Sequence, residues 1–228
     1  MTQDLTFDQW VSWLLNHPGS GEIDILEPLS RTTGGADNAL KAAIFATRLF
    51  KNIGTITLQF DPLAVDRALA SFIAGLPAWL NGISTMTSDD RRALFRSMYY
   101  LYADYAVPQK LSKYRGPERV RGRYALEMWW DVMVFGSTRQ ECLEQEEACY
   151  YQQPDFIREV NDTILDVLKA ILSLQDELCC RSALHGLNHL CHPLAKTVAE
   201  EYVANSRNSL RDWNLLDYAI QCTLGLAA

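Results

Sequence analysis

The sequence predicts an all-α protein, and three observations carry that expectation. Helix-start signals recur along the chain, at Thr6-Phe7-Asp8-Gln9, Asp61-Pro62 and Ser88-Asp89-Asp90. Apolar residues repeat at helical spacing, as Leu126, Trp129, Trp130 and Met133 do at i, i+3, i+4 and i+7. The single strand-like stretch, Thr55 to Phe60, alternates apolar and polar residues but has no evident partner, and reads as an extended connector.

The elements follow from local chemistry. Thr6 and Gln9 match a capping box, the hydroxyl and the amide each satisfying an orphan N–H, and open a helix through Trp10, Trp13 and Leu14 that ends at His17-Pro18-Gly19. A loop rich in Gly, Ser and Thr from Ser30 to Asp37 leads to a helix over 38–52, closed by Gly54. Asp61 as N-cap and Pro62 at the first helical position start a third helix, running to about Gly75. Ser88-Asp89-Asp90 opens a fourth, which carries Met98, Tyr99, Tyr100, Tyr102 and Tyr105 and stops before Pro108. Residues 117–135 form another, showing Glu127 and Asp131 on the face opposite its apolar stripe. After an acidic segment (Glu141, Glu144, Glu146, Glu147) come four amphipathic helices, 155–174, 176–191, 193–205 and 209–226. Their short connections imply antiparallel neighbours. Cys180, Leu184, Leu187 and Cys191 match Arg211, Leu215, Tyr218 and Cys222 at an offset of 31, an internal echo that suggests a helical repeat.

Composition narrows the function classes. With 48% apolar and 21% charged residues the chain can build a core, which excludes a disordered polypeptide. A net charge of -7 suits a basic protein partner better than nucleic acid or anionic lipid. One segment runs against that balance: Lys110, Lys113, Arg115, Arg119, Arg121 and Arg123 stand against Glu118 alone, which would suit a phosphate or nucleic-acid patch but reads better as a solvated loop and helix start, or as pairing with the nearby glutamates. No apolar run approaches the roughly 18–20 residues of a membrane span. The N-terminus lacks a basic signal region, and the six cysteines read as reduced thiols, so the expected location is the cytoplasm. No GxSxG, P-loop or GxGxxG pattern occurs, and no cofactor is expected.

The densest chemistry lies between Cys179 and His192, which holds three of the four histidines. On a helix, Arg181, His185, Asn188, His189 and His192 share a polar arc, while Cys180, Ala183, Leu184, Leu187 and Cys191 face the core. Histidines at i and i+4 can chelate a metal from adjacent turns, with Asp131 or Glu127 as third ligand or base. Against a zinc protease stands Gly186, which occupies the place of the HExxH glutamate, and Pro193 disfavours helical geometry at His192. The polar arc reads better as a face that touches a loop, a neighbouring element or a partner. Cys179-Cys180 is neither a CxxC pair nor a ready nucleophile.

At Trp129-Trp130-Asp131 and at Ser182-Ala183-Leu184-His185-Gly186-Leu187-Asn188-His189 the chain resembles a group of uncharacterised bacterial proteins with HEAT-like helical repeats. Those proteins pair a Trp-Trp-Asp segment with an Ala-Leu-His-Gly-Leu-Gly-His helix. Here Asn188 replaces the favoured glycine and Leu190 a common aromatic. The resemblance covers about residues 120 to 226. It implies an antiparallel α-solenoid in a single domain, less regular over about 1–115 and HEAT-like over about 117–226, and it carries no catalytic residues across. The expected function is therefore non-enzymatic binding of another protein, in an immunity-like or regulatory role, through Arg181, His185, Asn188, His189, Trp130 and Asp131. A metal-dependent hydrolase using His185 and His189 is the alternative, and nucleic-acid binding through 110–123 comes third.

Overall fold

The computed structural model describes residues 5–17, 25–30, 35–74, 82–113, 120–133, 139–142 and 146–227, and every regular element among them is helical. The chain divides into two compact units, Met1–Leu126 and Glu127–Ala228.

In the first unit α1 (Phe7–Asn16) starts as its sequence dictates. The Thr6 hydroxyl accepts from the Gln9 N–H, and the Gln9 side chain accepts from the Thr6 N–H. α2 (Glu27–Ser30) and α3 (Gly35–Lys51) follow, then α4 (Ile53–Ile56), α5 (Pro62–Ala74) and α6 (Ser88–Ser97). Trp10, Phe72 and Phe50 are fully buried and stack edgewise, and the Trp10 indole N–H donates to the Ile25 carbonyl at 3.1 Å. Burying such rings contributes most of the cohesion of a helical core. Beyond α6 the aromatic run widens into a π-helical turn, Leu101–Ala106, where the Val107 N–H reaches back to the Tyr102 carbonyl at 3.0 Å. This turn aims the Tyr105 hydroxyl at the buried carboxylate of Asp66. α7 (Val120–Glu127) presents Gly122 to that carboxylate; a Cβ there would stand 2.0 Å from Asp66 Oδ1.

The expected connector at Thr55–Phe60 is instead helical: α4 is continued by a 3-10 turn over Thr57–Gln59. The Thr57 hydroxyl donates to the Ile53 carbonyl, and Ile53 and Thr57 turn inwards at helical spacing while Leu58 is left 81% exposed. The alternation of residue types did not correspond to an alternation of faces.

The second unit consists of α8 (Trp129–Met133), α9 (Arg139–Cys142), α10 (Glu146–Gln152), α11 (Asp155–Leu172), α12 (Glu177–His189), α13 (Ala195–Asn205), α14 (Arg207–Asp212) and α15 (Leu216–Thr223). α12 is its axis and packs against α8, α9, α11, α13 and α15. Apolar and small residues around its circumference, from Leu178 through Leu187, permit that. Asp176 caps it, with Oδ1 accepting from the Leu178 and Cys179 N–H groups at 3.0 and 3.3 Å. It ends at His189, because Leu190 turns extended three residues before Pro193.

Two expectations for this unit are corrected. The helix expected over 209–226 is broken: Asn214 adopts φ 57° between α14 and α15, a left-handed conformation that asparagine tolerates better than most residues. The offset of 31 therefore aligns the interior of α12 with a break at Leu215, and buried Cys180 with exposed Arg211. α15 is held instead by Arg139, only 1% exposed, whose guanidinium donates to the last carbonyls, Cys222 and Thr223, at 3.0 and 2.9 Å. A cation at a helix C-terminus satisfies orphan acceptors and opposes the helix dipole.

Several expected features lie outside the described residues: Pro18 and Gly19, the loop from Arg31 to Gly34, the helix end at Gly75, the middle of the basic segment from Tyr114 to Arg119 with the helix start at Pro117, Phe135 and Glu144.

Candidate metal centre

α8 and α12 cross where Gly186 leaves room. A Cβ at Gly186 would stand 2.9 Å from Trp130 Cγ and 2.7 Å from Leu168 Cδ2, so the glycine admits the fully buried Trp130 against α12. This crossing carries Asp131, the residue after Trp130, to the two histidines flanking Gly186 by one and three positions. Asp131 Oδ1 lies 2.5 Å from His185 Nε2 and 3.2 Å from His189 Nε2. The two imidazoles pack edge to face with centroids 4.7 Å apart, as i, i+4 spacing allows.

The cluster sits at the margin of the core. The side chain of His185 is 6% exposed, that of His189 23% and that of Asp131 28%. Burial works to raise the Asp131 carboxyl, but hydrogen bonds from His185 and His189 and the attraction of their rings outweigh it and hold the group well below the usual carboxylate range. Behind His185, the Tyr218 hydroxyl is 2.7 Å from Nδ1. Because a phenol can donate or accept, Tyr218 suits either tautomer of the ring. Tyr218 is itself kept protonated, chiefly by burial. The Arg181 guanidinium lies over its ring, 5.0 Å from the centroid.

Asp131, His185 and His189 offer one carboxylate oxygen and two imidazole nitrogens, all within 4.8 Å of one another. A tetrahedral ion with ligand atoms about 2.1 Å away spaces them about 3.4 Å apart. Asp131 Oδ1 stands closer than that to both imidazole nitrogens, so an ion would part them. Of the two acids suggested by sequence, Asp131 joins the histidines and Glu127 does not belong to the group.

His192 goes elsewhere. Its Nδ1 accepts from the Leu194 N–H at 3.0 Å, so Nε2 carries the proton and donates to Asp162 at 3.1 Å. Burial foremost lowers its pKa, against the pull of Asp162. Tyr150 completes this second cluster, its hydroxyl donating to Asp162 and its ring edge-on to His192 at 4.9 Å.

Of the six residues expected to bind a partner, Asn188, Trp130 and His185 are buried, whereas Asp131 is exposed. Asn188 is fully buried and latches the chain end through its Nδ2–H to the Ala227 carbonyl (2.9 Å) and the Ala227 N–H to its Oδ1 (3.2 Å). Trp130 and His185 are buried as well, because α12 is enclosed rather than peripheral. Arg181 and His189 retain partial exposure. Burial pushes the Cys180 thiol up to about 11 and Cys179 higher still, which leaves neither as a thiolate. Tyr218, Arg139 and Asp162 were missed by sequence reasoning, since a lone tyrosine, arginine or aspartate carries no spacing signal.

Among the described residues no helix is long and apolar enough to cross a membrane. Comparison of the chain with protein-family models, with curated proteins and with solved structures found no match.

Proposed function

We propose that the second unit binds a single divalent transition-metal ion through His185 Nε2, His189 Nε2 and Asp131 Oδ1, and that the protein works through this centre. The observation that carries the reading is the convergence of those three atoms within 4.8 Å, across 54 residues of sequence from Asp131 to His185. Two imidazoles and a carboxylate are a ligand set used by zinc and non-haem iron sites. Three protein ligands leave a coordination position open, as catalytic rather than structural sites do. Partial exposure of Asp131 and His189 gives that position a route to solvent. With an ion on Nε2, His185 would donate Nδ1–H to Tyr218, the outer hydrogen bond that orients a metal-bound imidazole. A metal-bound water would be the nucleophile of a hydrolytic reaction. Gly186 supplies no base, so the general base would come from another element.

Titration of metal-free protein with Co²⁺ tests this directly. One equivalent should bind with visible d–d absorption, and His189→Gln, at the more exposed ligand, should abolish the absorption while leaving the helical circular dichroism intact. A wild-type protein that takes up neither Co²⁺ nor Zn²⁺ sinks the reading.

A second reading is a HEAT-like scaffold that binds a protein partner. It draws support from the consecutive packing of α11, α12 and α13, and from the exposure of Ile220, Leu224 and Leu226 beside α15 at 40, 49 and 63%. Replacing Leu224 and Leu226 with serine should leave metal uptake unchanged and abolish recovery of a partner co-expressed with the chain.

A further inference from the structure

Between α12 and α13 the chain turns over Leu190 to Leu194, and the His192 ring fastens that turn from inside. The His192 N–H reaches the Leu190 carbonyl and the Ala195 N–H reaches the His192 carbonyl, both at 2.9 Å. The ring adds a side-chain bond: Nδ1 accepts from the N–H of Leu194, the N-cap residue of α13, at 3.0 Å. Nε2–H is spent on Asp162 Oδ1 at 3.1 Å. Only a neutral imidazole can make both bonds, because accepting at Nδ1 uses its lone pair. Tyr150 packs edge-on at 4.9 Å and the His192 side chain is 8% exposed, so the ring has little room to turn. Leu194 itself is half exposed, so burial of its side chain contributes little to holding the turn.

We propose that His192 is a proton-operated latch: as imidazole it holds the α12–α13 turn closed through the Leu194 N–H, and as imidazolium it lets the turn open. The latch stands apart from the metal centre and does not rest on it. A proton added at Nδ1 would face the Leu194 N–H, donor against donor, across the present 3.0 Å. With the ring confined by Tyr150, the backbone yields. Nε2–H keeps its bond to Asp162, which becomes charge-assisted. Charges from α11 act on the ring: Asp162 and Asp166 favour the imidazolium and Lys169 opposes it. From α10 comes the Tyr150 hydroxyl, kept protonated chiefly by burial. Burial of the ring resists the proton most, so opening waits for a pH below about 6.5. The Asp176 cap and the Asn188–Ala227 bonds secure the rest of α12, which confines the opening to the turn.

Amide hydrogen exchange and proton NMR on the full chain, from pH 7 to 4, test the latch. As the His192 ring resonances titrate, the protection factor of the Leu194 amide should fall about tenfold or more with the same midpoint. The Ala227 amide should stay protected and the helical circular dichroism unchanged. His192→Gln, neutral throughout, should make Leu194 protection independent of pH. Asp162→Asn keeps the ring and removes a carboxylate that favours the imidazolium, so it should move the midpoint to lower pH; this arm decides the matter if His192→Gln fails to fold. A ring that titrates while Leu194 protection stays constant overturns the proposal. So does a His192 that stays neutral until Ala227 loses protection with Leu194, or a midpoint that Asp162→Asn leaves in place.

Discussion

The second unit contains two carboxylate–imidazole–tyrosine clusters built from the same parts and wired differently. At Asp162 a single histidine donates through Nε2 while a backbone N–H occupies Nδ1, so both ring nitrogens are spent and the tautomer is set. At Asp131 two histidines direct Nε2 at one oxygen, and the partner behind His185 is a hydroxyl that tolerates either tautomer. The first arrangement resists change of protonation. The second can turn both Nε2 atoms to an incoming cation, the His185 proton shifting to Nδ1 so that its outer hydrogen bond is kept. Wiring, more than composition, separates a structural cluster from a candidate site.

The largest expected contrast comes from paired amide substitutions. Asp131→Asn should weaken Co²⁺ binding more than 100-fold by isothermal titration, whereas Asp162→Asn should leave it within twofold. Equal losses would erase the distinction. Next in size, Gly186→Ala forces Trp130 and Leu168 aside and should cost about 1–3 kcal/mol in urea denaturation. It should also weaken Co²⁺ binding, because displacing Trp130 moves its neighbour Asp131. A variant that loses stability with unaltered metal affinity would uncouple the crossing from the site.

Acid titration sharpens the comparison further. Burial above all holds the His192 pKa low, so below the ordinary histidine value of about 6.5 the unfolded chain binds a proton that the folded chain resists. Stability from this cluster is complete above that pH and is lost as pH falls through the window beneath it. The Asp131 carboxyl is depressed, so its contribution is complete above about 3.9 and disappears only as pH falls towards its low folded value. Denaturation followed from pH 7 to about 2 should show a first decline that His192→Gln removes and a later one, beginning near 3.9, that Asp131→Asn removes. The smallest effect is expected from Tyr150→Phe, about 1 kcal/mol for one partly buried hydrogen bond, read from the urea midpoint.

Local chemistry was legible in the sequence wherever one residue acts on a near neighbour. The Thr6–Gln9 box, the Asp61–Pro62 start and the i, i+4 pairing of His185 with His189 all appear where spacing places them. The displacement of His192 from the stripe follows the same logic through Pro193. Features that depend on tertiary approach were not legible. Gly186 looked like the absence of a base, and its role is clear only once Trp130 lies against it. Asn188 looked polar and outward because helix periodicity cannot tell that the chain end returns to cover it. The alternation at Thr55–Phe60 suggests an extended connector, because periodicity over six residues does not separate the two backbones when Thr57 can bond back to Ile53.

Arg139 has a consequence for behaviour in salt. Its guanidinium is sealed against the carbonyls that close α15, the helix bearing Tyr218, and mobile ions have no access to a contact 1% exposed. Surface pairs such as Arg48–Asp8 and Lys196–Glu200, at 3.8 and 3.9 Å, are open to screening. Molar salt should therefore weaken the periphery while Tyr218 keeps its place behind His185. Metal binding could then be measured at ionic strengths that suppress nonspecific cation uptake by an acidic surface.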